Sequence, residues 1–197
     1  MSIARKRTRG ATSTRSSAIA VLKRIRLVAM DVDGVLTDAG MYYSESGEEL
    51  KKFNTRDGMG IKLLQRAGLI TALITMEDTK LVSRRAEKLA IPEVHQGTRD
   101  KLAVLREMVA RHGLTFQEVA YIGDDVNDLE ALNAVGFGAA PADALPAVRS
   151  VVDYVCRQKG GEGAVREVAD LILAAKGSKF DVRSSKNSQE PGRSSQA

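Results

Sequence analysis

Two aspartates one residue apart close the apolar run at residues 28–30, in the stretch Asp31-Val32-Asp33-Gly34. Unpaired carboxylates at the mouth of a buried strand are costly, so partners must stand beside them. Three further sets of polar residues occupy comparable places. Thr75 ends the run LITALI, Gly123-Asp124-Asp125 follow VAYI with Asp128 one turn on, and Lys101 opens a helical segment. Carboxylates drawn together repel one another unless a cation joins them. Oxygen ligands of this kind suit Mg²⁺, which binds through one or two carboxylates, waters and phosphate oxygens. Beside such an ion an aspartate can attack phosphorus, and a carboxylate two residues on can protonate the leaving oxygen. Thr75 and Lys101 have the right chemistry to hold phosphoryl oxygens. Gly34 allows its backbone N–H a close approach to a phosphate.

A sheet must position these groups. Apolar runs of strand length predict strands over 27–32, 69–75 and 119–124, with shorter ones at 93–96, 137–140 and 153–156. Helical periodicity is read over 18–25, 57–67 with Asp57 as its N-cap, 78–89, 99–111, 126–135 and 164–175. Residues 41–54 read as a hairpin around Ser46-Gly47. Continuous apolar strands suit a sheet buried on both faces, and their alternation with helices implies parallel pairing. The expected fold is α/β: a Rossmann-like, mostly parallel sheet flanked by helices, with a small hairpin insert. Ligands in such sheets bind beyond the carboxyl ends of the strands, where Asp31, Asp33, Thr75, Lys101 and Asp124 would gather. No internal repeat is present.

Composition bounds the rest. A chain of 197 residues, 43% hydrophobic, suits one domain with a sizeable core. It has no apolar run near the ~20 residues of a membrane span, so no membrane partner is expected. The single cysteine, Cys156, forms no disulfide framework and fits a reducing, cytoplasmic setting. The net charge of +5 belongs to the ends, because residues 1–26 hold eight Lys and Arg and no acid, while 27–177 are net acidic. Nucleic acid is therefore not the expected partner. Residues 1–17 read as a disordered basic arm, with an organellar transit peptide as the alternative. Residues 178–197 read as a disordered tail, leaving 18–177 as the folded domain. His95 and His112 lack zinc-ligand spacing and read as structural or surface residues.

DVDGVLT, the strand ending in Thr75, Lys101 and GDDVND together resemble the haloacid dehalogenase superfamily on its phosphatase branch, over about residues 25–176. The resemblance implies Asp31 as nucleophile, Asp33 as general acid/base, and Mg²⁺ held by Asp31, the Asp33 carbonyl and Asp124. It implies that Thr75 and Lys101 bind phosphate, with Asp125 and Asp128 supporting the metal from behind. The segments DVDGVLTDAGMYYSESGEELKKFNTRDGMGIKLL, HQGTRDKL and GGEGAVREV are similar to the capless phosphatases of eight- and nine-carbon 2-keto-3-deoxy sugar phosphates. Those proteins are tetramers joined by the hairpin, so a homotetramer and a sugar-phosphate substrate are expected. The segment 37–57 is too short for a cap domain.

Within that group the eight-carbon branch has Gly-Arg after the threonine, where this chain has Met76-Glu77. Glu77, Arg85 and Lys88 look more like the nine-carbon branch, acting on KDN or N-acylneuraminate 9-phosphate. That is the preferred expectation, with 3-deoxy-D-manno-octulosonate 8-phosphate as the alternative. Glu77 would accept from sugar hydroxyls, and Arg85, Lys88 and Arg166 would meet a substrate carboxylate. Arg56 and Gly58 complete the substrate-binding set. The plain alternative for residues 84–88 is a solvated helix face with i,i+4 pairs. A receiver-like signalling domain also gathers Asp, Thr, Lys and Mg²⁺ at strand ends. It needs no acid two residues past its phospho-acceptor, however, so Asp33 argues for an enzyme.

Overall fold

The computed structural model describes residues 11–177. The basic residues before 11 and the whole segment 178–197 lie outside the described residues. The chain runs α1 Ala11–Arg24, β1 Leu27–Met30, β2 Tyr42–Ser44, β3 Gly47–Leu50, α2 Thr55–Arg66, β4 Ile70–Ile74 and α3 Lys80–Leu89. It continues β5 Glu93–His95, α4 Lys101–Arg111, β6 Val119–Ile122, α5 Leu129–Ala134, β7 Phe137–Ala140, α6 Pro146–Arg149, β8 Tyr154–Val155 and α7 Ala164–Ala175. The first helix begins seven residues earlier than expected, at Ala11. Ser and Thr cost a helix only tenths of a kcal/mol each, and a nucleated helix extends one hydrogen bond at a time. The turn of helix at α6 was not foreseen; Pro146 sits at its start, where a missing N–H does no harm.

Six strands form one sheet in the order β5-β4-β1-β6-β7-β8, and every pairing is parallel. The strand leading to Asp31 is therefore near the centre, in register with β4 through Met30 and Leu73 and with β6 through Met30 and Ile122. Alternate residues feed opposite cores. Val28 and Met30 join Ile61, Leu64, Val82, Val168 and Ile172 on the side of α2, α3 and α7. Leu27 and Ala29 join Leu105, Met108, Ala131 and Val148 on the side of α4, α5 and α6. Burial on both faces explains the unbroken apolar runs.

The hairpin β2–β3 stands apart as a two-stranded antiparallel ribbon. Its base returns to the loop after β1 through a bridge between Thr37 and Phe53. Tyr42, Tyr43 and Leu50 are exposed upon it.

Asp57 does not cap its own helix. Asn54 does so, accepting from the Arg56 N–H at 2.8 Å. Asp57 is fully buried one turn in, and its carboxylate accepts from the N–H groups of Gly163 and Arg166 at 3.1 and 2.9 Å. Gly163, the N-cap of α7, has no side chain to cap with, so a carboxylate from α2 supplies the missing acceptor.

Candidate active site

Asp31 follows β1 directly, and its N–H donates to the Ile122 carbonyl at 3.0 Å, extending the sheet by one bond. Lys101 is the first residue of α4, whose N-cap Asp100 accepts from the Ala103 N–H. From there its buried ammonium donates to Asp31 Oδ2 at 2.5 Å and to Asp128 Oδ1 at 2.7 Å. Asp128 is fully buried. It also accepts from the Tyr121 hydroxyl at 2.7 Å and from the N–H groups of Asp124 and Asp125 at 3.0 and 3.4 Å. Both of its oxygens are therefore occupied, and it orients its neighbours. Asp124 stands over the loop after β1, where a Cβ on Gly34 would lie 2.0 Å from Asp124 Oδ2. Gly34 has φ of +75°, a conformation that favours glycine as well.

One carboxylate oxygen from each of Asp31, Asp124 and Asp128 lies within 4.8 Å of the others. Burial, then the charge of Asp128, pushes the Asp31 carboxyl up to about 7 against the pull of Lys101. Burial, then the charges of Asp31 and Asp128, pushes Asp124 up to about 8. Burial opposes the charge of Lys101, but Asp31 and Asp128 hold its ammonium above the usual range. Two buried carboxylate oxygens, Asp124 Oδ1 and Asp33 Oδ2, have no hydrogen-bond partner among the described residues. Groups of this kind call for an ion or a ligand, and an all-oxygen set with orphaned lone pairs fits a hard divalent cation.

Of the expected residues, the fold brings Asp31, Lys101, Asp124 and Asp128 together by direct contact or proximity, with Asp33 and Gly34 on the adjoining loop. Thr75 is buried just past β4, two positions beyond the Met30–Leu73 pairing, and its Oγ1 accepts from the Glu77 N–H at 3.3 Å. The Gly34 N–H is less free than expected: it donates to Thr37 Oγ1 in a long bond of 3.4 Å. Asp125 is exposed, and its Oδ1 accepts from the Val126 N–H at the start of a short turn of helix.

The expected substrate-binding residues fare differently. Arg85 is directed inward, donating to the Asn54 carbonyl at 2.8 Å with its guanidinium over the Phe53 ring. Gly58 makes room for it, since a Cβ there would meet Arg85 Nη2 at 2.6 Å. Arg85 and Gly58 thus form a joint between α2 and α3. Lys88 is exposed in the last turn of α3. Arg166 pairs with Asp170 at 2.9 Å on the helix surface. With Arg56 it lines an open groove that also includes Tyr154, Arg157 and Glu167 but none of the strand-end carboxylates.

Glu77 is taken up by a residue the sequence reading missed. Lys51, immediately after β3, donates to Glu77 Oε2 at 2.8 Å and to Asp33 Oδ1 at 2.7 Å, with its side chain wholly buried. A signal for it existed. A segment that leaves at Thr37 and must rejoin the core before α2 brings residues 51–53 back beside 33–37. Tyr121 was missed as well, hidden inside an apolar run.

The sequence pattern of the haloacid dehalogenase-like hydrolase family matches residues 74–168. The chain is 43% identical over 162 residues to the 3-deoxy-D-manno-octulosonate 8-phosphate phosphatase of Escherichia coli strain K12, covering 82% of this chain and 86% of that one. It is 47% identical over 151 residues to the Yersinia pestis enzyme of the same name, covering 77% and 81%. The fold superposes with a TM-score of 0.80, at 41% identity, on the crystal structure of the same phosphatase from Moraxella catarrhalis in complex with magnesium ion, phosphate ion and KDO molecule. That match covers 82% of this chain and 93% of the other. Likeness at this level, over nearly the whole described fold, makes the chain a phosphatase of the haloacid dehalogenase superfamily, in its capless branch.

Proposed function

We propose that this enzyme hydrolyses 3-deoxy-D-manno-octulosonate 8-phosphate to the free sugar acid and phosphate. The observation that carries the reading is the combination of 41% identity and a TM-score of 0.80 to a protein whose crystal structure holds magnesium, phosphate and that sugar. The preference for a nine-carbon substrate loses its footing. It rested on Glu77, Arg85 and Lys88, but Glu77 is engaged by Lys51, Arg85 by Asn54, and Lys88 lies on the exposed face of α3.

Mg²⁺ would be held by the Asp31 and Asp124 carboxylates and the Asp33 carbonyl, with Asp128 orienting Asp124 from behind. Once bound, it supplies positive charge to the phosphoryl oxygens and offsets the repulsion between the carboxylates. Asp31 attacks phosphorus, and the bond to the sugar oxygen breaks. Asp33 gives that oxygen its proton through the partnerless Oδ2, leaving a free sugar alcohol and an aspartyl-phosphate. Asp33, now a carboxylate, takes a proton from water as the water attacks phosphorus, releasing phosphate and restoring Asp31. Lys101, Thr75 and the Gly34 N–H hold the phosphoryl oxygens meanwhile. Lys101 also separates Asp31 from Asp128, so the nucleophile is not left facing an uncompensated charge.

A phosphate-release panel tests the substrate. It would compare octulosonate 8-phosphate with KDN and N-acetylneuraminate 9-phosphates. The eight-carbon ester is expected to give the highest kcat/KM, and a nine-carbon ester ahead of it would overturn the reading.

The exposed hairpin supports a homotetramer, and the single cysteine fits a cytoplasmic setting. A lone two-stranded ribbon is marginal in water, and Tyr42, Tyr43 and Leu50 leave it with an apolar surface that subunits can bury in one another. Residues 18–177 would then act as one catalytic unit per subunit.

A further inference from the structure

Asp33 is held on one side only. Its Oδ1 accepts from Lys51 at 2.7 Å and from the Thr37 hydroxyl at 3.2 Å, while the buried Oδ2 has no partner. A carboxylate with both oxygens free turns about its terminal bond, so a proton on it has no fixed direction. Lys51 removes that freedom. Its own ammonium is fixed from the far side by Glu77, and the side chain that carries it is wholly buried. The charge of Glu77 also offsets that of Lys51, so the pair stabilises the orientation of Asp33 without adding net positive charge. Asp33, Lys51 and Glu77 come from three separate segments: the loop after β1, the end of the hairpin and the loop after β4.

We infer that Lys51, backed by Glu77, is a positioning residue for the general acid: it occupies Asp33 Oδ1 so that Oδ2 is the oxygen turned to the leaving group. Lys51 touches no reacting atom in this scheme. The hairpin then has a task within its own subunit, besides any contact it makes with another.

The inference rests on the proposed role of Asp33, and the test separates the two. The leaving oxygen of a sugar phosphate needs a proton, whereas that of 4-nitrophenyl phosphate does not, and kcat/KM reports the steps through departure of the leaving group. The best sugar phosphate of the panel above and 4-nitrophenyl phosphate would be run on wild type, Asp33→Asn, Lys51→Met, Lys51→Arg and Glu77→Gln. Positioned proton transfer contributes on the order of 100-fold or more. Lys51→Met should therefore lose about 50-fold on the sugar phosphate and less than about 3-fold on the aryl ester, with Lys51→Arg recovering most of the difference. Glu77→Gln should show the same selectivity at about 5-fold. Equal losses on both substrates, or none on either, would mean that Lys51 only props the hairpin. If Lys51→Met fails to fold, the selectivity of Glu77→Gln decides by the same rule. Should Asp33→Asn be selective while Lys51→Met is not, the inference alone falls. Should Asp33→Asn show no selectivity, the general-acid role falls and the inference goes with it.

Discussion

The carboxyl edge of the main sheet and the hairpin β2–β3 manage polar and apolar groups in opposite ways. At the sheet edge charged groups are buried, and nearly every polar atom is partnered from within the chain. Lys101 sits between Asp31 and Asp128, and Asp128 accepts four hydrogen bonds. Two buried oxygens there, on Asp33 and Asp124, are left without a partner among the described residues. On the hairpin the apolar side chains of Tyr42, Tyr43 and Leu50 are exposed, while the lysine at its base is buried. The edge is complete save for an ion and a substrate. The hairpin leaves apolar surface exposed. Changes at the edge should therefore cost activity first, and changes on the hairpin should cost assembly first.

The largest effect is expected at the nucleophile. Asp31→Asn should lower kcat by roughly 10 000-fold while the far-ultraviolet circular dichroism stays that of the wild type. Turnover near the normal rate would remove Asp31 from its role. Lys101→Met should cost roughly 1000-fold in kcat and about 3 kcal/mol of stability, because it leaves two buried carboxylates facing each other. Urea unfolding unchanged by that substitution would show that the edge does not need its internal cation. Gly34→Ala should cost about 100-fold in apparent Mg²⁺ affinity, since the added carbon would collide with Asp124 Oδ2. A magnesium titration of activity reads this directly, and an unshifted midpoint would argue against Asp124 as a ligand.

The same edge predicts a pH effect of moderate size. In the metal-free enzyme the Asp31 and Asp124 carboxyls lie near 7 and 8, against 3.8 when unfolded. The folded state therefore holds more protons over that window, and this part of its stability fades as pH rises from about 4 to 8. The Tm of chelated enzyme should fall by about 5 °C between pH 5 and pH 8, and Mg²⁺ should restore it mainly at the upper end. A magnesium effect equal at both pH values would contradict the linkage. The smallest effect on the fold belongs to the hairpin. Tyr43→Lys should change chemical stability of the subunit by less than about 0.5 kcal/mol and yet shift sedimentation toward smaller species. Unaltered sedimentation would clear the hairpin of a role in assembly.

The sheet edge was legible because Asp31, Thr75 and the Gly123-Asp124 pair follow apolar runs, and a parallel sheet sends such ends to one side. Asp31, Thr75 and Asp124 needed nothing more. Strand 137–140 and helix 164–175 came out at their observed bounds for the same reason. What pattern cannot supply is the identity of a partner met across the fold. Lys51 reaches Asp33 over 18 positions and Asp57 reaches Gly163 over 106, and periodicity carries no record of either. Arg85 is the converse case: its place on an amphipathic helix is compatible with solvent, substrate or a neighbouring helix, and the space left by Gly58 turns it toward α2. Glu77 stands where the eight-carbon pattern has arginine, and its carboxylate accepts from Lys51.

The glycine pair at 160–161 ties the loop after β1 to a distant part of the sequence. A Cβ on Gly160 would come 1.9 Å from the Gly34 carbonyl oxygen, and one on Gly161 would come 2.5 Å from the Thr37 carbonyl carbon. The Gly161 N–H donates to the Val35 carbonyl, and its own carbonyl accepts from Asn54 Nδ2. The turn bearing Asp31 and Asp33 is thus braced by residues far later in the sequence. Pairing of β1 with β4 and β6 alone therefore leaves the loop that carries Asp31 and Asp33 without this support.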